Sequence, residues 1–164
     1  AIDRDGRRVF CPIEALEGEL ADPPPAVDIE HAAVRRAGTA LTLVTYGGSL
    51  PRALAAAQAL SAEEGIDAEV IDLRTLRPLD LETVLASVRK TNRIVTVEEG
   101  WPICSIGSEI CARVALEAFD DLDAPPMKIT GADVPMPYAA NLERLALPSV
   151  EQVVAAAKAV CYRE

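Results

Sequence analysis

The chain has 164 residues, half of them hydrophobic, and its 26 acidic side chains against 16 Lys and Arg give a formal net charge of −10. This length is enough to bury one core of ordinary size. Such acidity disfavours nucleic-acid and anionic-membrane partners, whose phosphates repel it, and a 4% aromatic content offers no stacking platform for bases. No apolar stretch reaches the roughly 18 residues that a membrane helix needs, and residues 1–8 lack the apolar region of a secretory signal.

Residues 1–25 differ in composition from the rest of the sequence. A short apolar run at 9–13 is followed by an acidic stretch at 14–22 and then by three consecutive prolines at 23–25. Consecutive prolines favour an extended polyproline conformation, so this segment is typical of a stiff linker. We expect a segment that opens like a strand and ends in a spacer to be the tail of a preceding domain.

From residue 31 onward, apolar runs alternate with helical patterns. The β-rich run 41–46 closes on Gly47 and Gly48, and apolar residues at helical spacing then follow Ser49, a helix N-cap residue, as far as Gly65. Later helices are predicted to begin at Asp80, at Ser105 or Gly107, and at Ser149, where Gln152 completes a capping box. The predicted strands are 41–46, 68–73, 93–97 and 127–130, with a long loop between the last strand and the final helix.

This order of elements predicts an α/β fold. Strands that alternate with helices, each strand an apolar run, indicate a parallel sheet covered on both faces. Right-handed crossovers make it a doubly wound, three-layer α/β/α sandwich. The short mixed run at 32–36 is joined to the next strand by a tight turn, so it can pair antiparallel at an edge.

Ligands of an open parallel sheet gather at the carboxyl ends of its strands. Gly47 and Gly48 precede a helix and could hold a phosphate, but neither nucleotide-binding fingerprint is present, so a simple turn is the favoured interpretation. Glu98 and Glu99 could include a general base whose pKa is raised by desolvation beside Trp101. Consecutive strand residues point to opposite faces, so we expect a structural or interface role instead of a catalytic pair.

The cysteines and the single histidine do not form a readable metal or redox site. Cys11, Cys104, Cys111 and Cys161 are too few for a disulfide framework and show no CxxC spacing. Cys104 and Cys111 would lie about 10 Å apart on one helix, too far for a disulfide. We expect reduced, mostly buried thiols in a cytosol-like compartment, no metal site, and a surface or hydrogen-bonded role for His31.

Several motifs occur in order and at consistent spacing. They are LVTYG at 43–47, AEVIDLRTLRPLD at 68–80, KTNR at 90–93, VEEGWP at 97–102, GSEI at 107–110, LDAP at 122–125 and TGADVPMPY at 130–138. Together they resemble the carboxyl-terminal domain of the beta subunit of thiamine-diphosphate-dependent 2-oxo acid dehydrogenases. The EVIDLRTLRP run is shared across the wider family, whereas EEGWP and GADVPMPY are similar to the pyruvate dehydrogenase type.

The resemblance implies a transketolase C-terminal-like domain at 26–164, a sandwich with a five-stranded sheet of four parallel strands and one antiparallel edge strand. Residues 1–25 would then be the linker and the tail of a preceding pyrimidine-binding domain. In the family, thiamine diphosphate and its Mg are held by the alpha subunit and by that preceding domain. We therefore expect this chain alone to bind no cofactor or metal, to carry no catalytic residue and to be inactive.

The implied role of the domain is assembly and docking within a multienzyme complex. The whole enzyme would decarboxylate pyruvate and reductively acetylate lipoyl groups, and the implied location is the bacterial cytoplasm. Its partners would be the alpha subunit, a second beta subunit and the basic peripheral-subunit-binding domain of dihydrolipoyl acetyltransferase. Asp123 matches the family position that faces this binding domain, and Arg163 and Glu164 are expected beside it, where the terminal carboxylate adds a second charge.

Two alternatives stay open. The parent could be a branched-chain 2-oxo acid dehydrogenase, an acetoin dehydrogenase or a transketolase-like enzyme. The chain could also be a free-standing protein that binds a small ligand at Gly47 and Gly48. An exposed apolar patch would favour the assembly role, whereas a closed surface would favour ligand binding.

Overall fold

The computed structural model describes residues 28–163, so the predicted linker at 1–25 lies outside the described residues. The strands are β1 (Ala33–Arg36), β2 (Leu41–Thr45), β3 (Ala68–Asp72), β4 (Ile94–Val97) and β5 (Met127–Ile129). The helices are α1 (Leu50–Ala59), α2 (Leu81–Thr91), α3 (Ile106–Glu117), α4 (Ala140–Ala146) and α5 (Val150–Val160). No helix in this part of the chain is both long and apolar enough to span a membrane.

The strands form one five-stranded sheet in the order β1-β3-β2-β4-β5. Strands β3, β2, β4 and β5 run parallel, and β1 pairs antiparallel with β3 at the edge. Thr45 is level with both Asp72 and Val97, which aligns the carboxyl ends of the three central strands. The mostly parallel sheet with an antiparallel edge strand that the sequence predicts is confirmed.

Helices cover the sheet on both faces. Helices α1 and α5 pack together over one face, on a core that includes Leu41 and Leu43 of β2. Helices α2 and α3 pack over the other face, on a core that includes Val44. All five residues of β2 are buried because both of its faces meet helices, which explains why its sequence is an apolar run without alternation.

The predicted helix starts are largely confirmed. Asp80, Ser105 and Ser149 each accept a hydrogen bond from the backbone N–H three residues on, and Gln152 completes the capping box with Ser149. Ser49 is the residue before α1, but its side chain makes no capping bond. Gly65 ends the first helical segment with a φ of 66°, a conformation that glycine adopts without steric cost.

The predicted long loop after β5 is wrong in one respect, because it contains the two-turn helix α4 (Ala140–Ala146). Only Ala146 of this helix is buried, while Leu142 and Leu145 are exposed. The helix therefore lacks the buried apolar stripe from which amphipathic helices are recognised in a sequence.

Candidate docking site

The carboxyl ends of β2 and β4 meet where a doubly wound fold usually binds ligands, but here the chain's own side chains fill the position. The Glu99 carboxylate lies so close to the first turn of α1 that a Cβ added at Gly48 would be 2.7 Å from Oε1. Arg52 Nη1 donates to this Glu99 oxygen at 2.6 Å and to the Gly48 carbonyl at 3.1 Å. A phosphate at this helix start would have to displace a carboxylate that is already paired.

Glu98 faces the other way and is buried, with 2% of its surface exposed. The Gly107 N–H donates to Glu98 Oε1 at 2.7 Å, and the Tyr46 hydroxyl donates to Oε2 at 2.9 Å. Burial and the bond to Glu98 raise the pKa of Tyr46 to about 12. Glu98 thus joins the end of β4 to the first turn of α3. The side chains of Glu98 and Glu99 point in opposite directions, which agrees with the structural role expected for them.

Trp101 does not desolvate either glutamate in the way the sequence suggested. Trp101 is 58% exposed, and its Nε1–H donates to the Val134 carbonyl at 3.1 Å. Glu98 is instead enclosed in a small hollow whose walls include Tyr46, Thr96 and Gly107. The sequence placed Trp101 next to the glutamates, but the chain turns outward after Gly100 and carries the indole to the surface.

Asp123 lies at the opposite end of the parallel strands, in the loop that leads into the amino end of β5. Its N–H donates to the carbonyl of Asn92, the αL residue that ends α2, at 2.8 Å. Its carboxylate is 53% exposed and pairs through Oδ2 with Arg93 Nη2 at 2.8 Å. Asp123 is therefore fixed by its backbone and still presents a carboxylate to solvent.

Arg93 orients this carboxylate. Besides pairing with Asp123, it donates through Nε to the carbonyl of Val160 at 3.1 Å and through Nη1 to the carbonyl of Ala40 at 3.5 Å. Its guanidinium thus joins the loop before β5, the end of α5 and the start of β2. In the part of the chain that the structure describes, Arg93 engages Oδ2 of Asp123 and Oδ1 carries no ion pair.

Tyr162, near the end of the described residues, contacts Asp123. The Tyr162 hydroxyl donates to the backbone carbonyl of Asp123 at 2.9 Å. Arg163 follows as an exposed residue whose N–H donates to the Lys158 carbonyl at 3.0 Å. Glu164 lies outside the described residues, so its expected role and that of Arg163 in binding remain predictions.

The structure places Cys104 differently from the sequence prediction. Cys104 is exposed and precedes α3 with a φ of 57°, so the expectation of a buried thiol sharing a helix face with Cys111 is wrong. The chain leaves the helical path at Ser105, the N-cap of α3. Cys111 and Cys161 are partly buried, and burial raises the pKa of both thiols. Cys11 lies outside the described residues.

His31 is exposed and bonds through Nδ1 to Asp28 at 2.8 Å, which confirms a surface, hydrogen-bonded role.

The described residues do not fit thiamine diphosphate, the cofactor of the family that the motifs resemble. Within residues 28–163, no group of three or more His, Cys, Asp or Glu side chains is arranged to hold a metal ion. A diphosphate needs such a cation or a vacant cluster of donors, and the glycine turn before α1 already faces the Glu99 carboxylate.

Residues 30–153 match the model of the transketolase C-terminal domain. The chain belongs to this family. The beta subunit of the pyruvate dehydrogenase E1 component of Rhizobium meliloti is 54% identical over 159 residues, covering 94% of this chain and 34% of that protein. The mitochondrial beta-1 subunit of the same component in Arabidopsis thaliana is 56% identical over 162 residues, covering 94% of this chain and 44% of that protein.

A solved structure of a split-gene transketolase, an inactive beta4 tetramer, has the same fold. Its TM-score is 0.71 at 29% identity, and the match covers 88% of this chain and 46% of that chain. The transketolase C-terminal fold implied by the motifs is thereby confirmed. The chain spans between about a third and a half of the length of the relatives that it matches.

This transketolase C-terminal domain leaves an apolar surface uncovered near the carboxyl ends of β4 and β5. The loops after the two strands are joined, since the Gly131 N–H donates to the Gly100 carbonyl at 2.9 Å. The exposed apolar side chains on these loops and on α4 are Trp101, Ile103, Val134, Met136, Tyr138, Leu142 and Leu145. An exposed apolar group of this extent is typical of an interaction surface.

Proposed function

We propose that the chain is the C-terminal assembly and docking module of the beta subunit of the decarboxylating component of a pyruvate dehydrogenase complex. The observation that carries the proposal is the similarity to two pyruvate dehydrogenase E1 beta subunits, at 54% and 56% identity, over 94% of the chain. The lower identity of 29% to the split-gene transketolase favours the pyruvate dehydrogenase type over a transketolase-like parent.

The exposed apolar surface around Trp101 and Met136 favours assembly over free-standing ligand binding. Under this proposal it packs against the alpha subunit or a second beta subunit. The whole enzyme uses thiamine diphosphate and Mg, decarboxylates pyruvate and acetylates lipoyl groups, with the cofactor held outside this chain. Residues 1–25 are the linker and tail of the pyrimidine-binding domain, and 26–164 form this module.

A reducing compartment, the bacterial cytoplasm, is part of the same proposal. Its support is that the three described cysteines, Cys104, Cys111 and Cys161, are free thiols.

The proposed docking partner is the basic peripheral-subunit-binding domain of dihydrolipoyl acetyltransferase, which would contact Asp123, Arg163 and Glu164. The half-exposed carboxylate of Asp123, fixed by Asn92 and oriented by Arg93, supports this role. Opposite charges at such a contact raise the association rate and select the partner.

The test compares Asp123→Asn with wild type by titration calorimetry of the complete chain with a purified peripheral-subunit-binding domain. We expect the substitution to weaken binding by about tenfold, because it removes the charge and keeps the shape. Asp133→Asn is the matched control, since Asp133 is also exposed but lies in the loop after β5. Unchanged affinity in Asp123→Asn would show that docking does not use this carboxylate.

A further inference from the structure

A hollow beside Asp123 is not used in the proposed charge contact of Asp123. It lies between the last turn of α3 and the loop before β5, and its volume is about 350 Å³. Residues along it include Ala115, Phe119, Leu122, Asp123, Pro125 and Pro126. We call this hollow the Asp123 groove. Its volume is at the lower end of the range of small-ligand pockets, about 300–1,000 Å³, and gives room for one large side chain.

The walls of the Asp123 groove are apolar apart from Asp123 itself. Phe119 forms one wall with 70% of its surface exposed, although it lies next to Asp120 and Asp121 in a sharp turn. Aromatic side chains bury large areas, and Phe is among the residues enriched at the core of protein interfaces. The groove is therefore suited to an apolar side chain held next to a charge.

The chain segment that forms one rim of the groove is acidic in sequence. Residues 117–126 include Glu117, Asp120, Asp121 and Asp123 and no basic residue. Within residues 28–163, Asp121 faces Arg89 at 3.7 Å and Glu117 faces Arg113 at 2.5 Å, whereas Asp120 enters no ion pair. Among the same described residues, Asp123 pairs through Oδ2 alone, so its Oδ1 on the groove wall is open to a cation.

We propose that the Asp123 groove receives one large apolar side chain of a basic protein partner, while an Arg or Lys of the same segment binds the free oxygen of Asp123. The inference rests on the proposed docking function and adds a second, uncharged anchor to it. Charge complementarity argues for a basic segment as the occupant, because a second copy of this chain, with its net charge of −10, would bring like charge to the rim.

Two substitutions in the groove test the apolar anchor without touching Asp123. Phe119→Ala removes one wall, and Ala115→Leu fills the space while keeping a good helix former. The matched controls lie on α3 and do not line the groove: Leu116→Ala removes an 80% exposed side chain, and Ala112→Leu adds one at an exposed position. Binding of each chain to a purified peripheral-subunit-binding domain is titrated at two salt concentrations.

We expect Phe119→Ala and Ala115→Leu to weaken binding by roughly tenfold each and the controls to stay within about twofold of wild type. Because the contact is uncharged, the salt dependence of binding in both groove variants should equal that of wild type, whereas Asp123→Asn should show a smaller salt dependence. If Phe119→Ala fails to fold, which thermal unfolding reveals, Ala115→Leu still carries the test.

The outcomes separate this inference from the docking proposal. Wild-type affinity in both groove variants, with weakened binding by Asp123→Asn, would overturn the groove and leave docking intact. Equal losses in Ala115→Leu and Ala112→Leu would also overturn it, since the effect would then come from the helix as a whole. A wild-type chain that does not bind the partner at all would overturn both.

Discussion

The carboxylates at the two ends of the parallel strands differ in burial and in pairing. At the carboxyl ends, Glu98 is buried and accepts two hydrogen bonds, and Glu99 is paired with Arg52. At the amino ends, Asp123 is half-exposed and Arg93 holds one of its oxygens. The carboxylates at the end where such folds usually bind ligands hold the domain together, and the carboxylate at the other end is presented to solvent.

The difference follows from the cost of removing a charge from water. A buried carboxylate must be compensated by hydrogen bonds, and the Gly107 N–H at the start of α3 and the Tyr46 hydroxyl supply them for Glu98. Asp123 stays in contact with solvent, so a partner can reach it and only part of its hydration is lost on binding. Burial makes a carboxylate structural, and exposure leaves it free to recognise another molecule.

The largest effect is expected from Glu98→Ala. The substitution leaves a cavity and a buried Gly107 N–H without its acceptor, so the free energy of unfolding should fall by about 2–4 kcal/mol. Urea-induced unfolding of the complete chain measures this change. Tyr46→Phe, which removes only one of the two donors to Glu98, should cost about 1 kcal/mol.

Substitutions of the partly exposed carboxylates Glu99 and Asp123 show how much less they contribute to stability than the buried Glu98. Glu99→Ala and Asp123→Asn each break one partly exposed ion pair, so each should lower the free energy of unfolding by less than about 1 kcal/mol. A loss from Asp123→Asn as large as that from Glu98→Ala would show that the amino-end carboxylate is structural as well.

The smallest effect concerns the exposed pair His31–Asp28, near the carboxyl end of β3. The hydrogen bond to Asp28 raises the pKa of His31 above 6.5. The bond from the Glu30 backbone, followed by that from His31, lowers the pKa of Asp28. The stabilisation that protonated His31 contributes is thus complete below pH 6.5 and is lost as the pH rises through its folded-state pKa. NMR titration should give a lower pKa for His31 in Asp28→Asn than in wild type; the same pKa in both would exclude this pairing.

Much of the fold follows from local features of the sequence. The strands β2, β3 and β4 are apolar runs because helices bury both of their faces, and Asp80, Ser105 and Ser149 begin helices because their side chains cap the first turn. Helix α4 could not be predicted in this way, since Leu142 and Leu145 face solvent and only Ala146 is buried. Cys104 was misplaced because a helical spacing was extended one residue past the N-cap Ser105.

The candidate docking site was predictable only in part. The LDAP motif and the resembling family singled out Asp123, Arg163 and Glu164, and their role in docking stays a prediction. The sequence did not show that Arg93 orients Asp123 or that the Tyr162 hydroxyl bonds to its carbonyl, because these partners are 30 and 39 residues away along the chain. Phe119 was missed for another reason: an exposed aromatic in an acidic turn has no periodic pattern that marks it.

Hydrogen–deuterium exchange with and without a purified peripheral-subunit-binding domain tests most directly which end of the sheet binds. We expect slower amide exchange in the bound state at residues 115–126 and 158–163, around Asp123, and unchanged exchange at residues 46–50 and 98–107. Protection at 98–107 with none at 115–126 would contradict this expectation, because the partner would then bind at the end where Glu98 and Glu99 are already engaged.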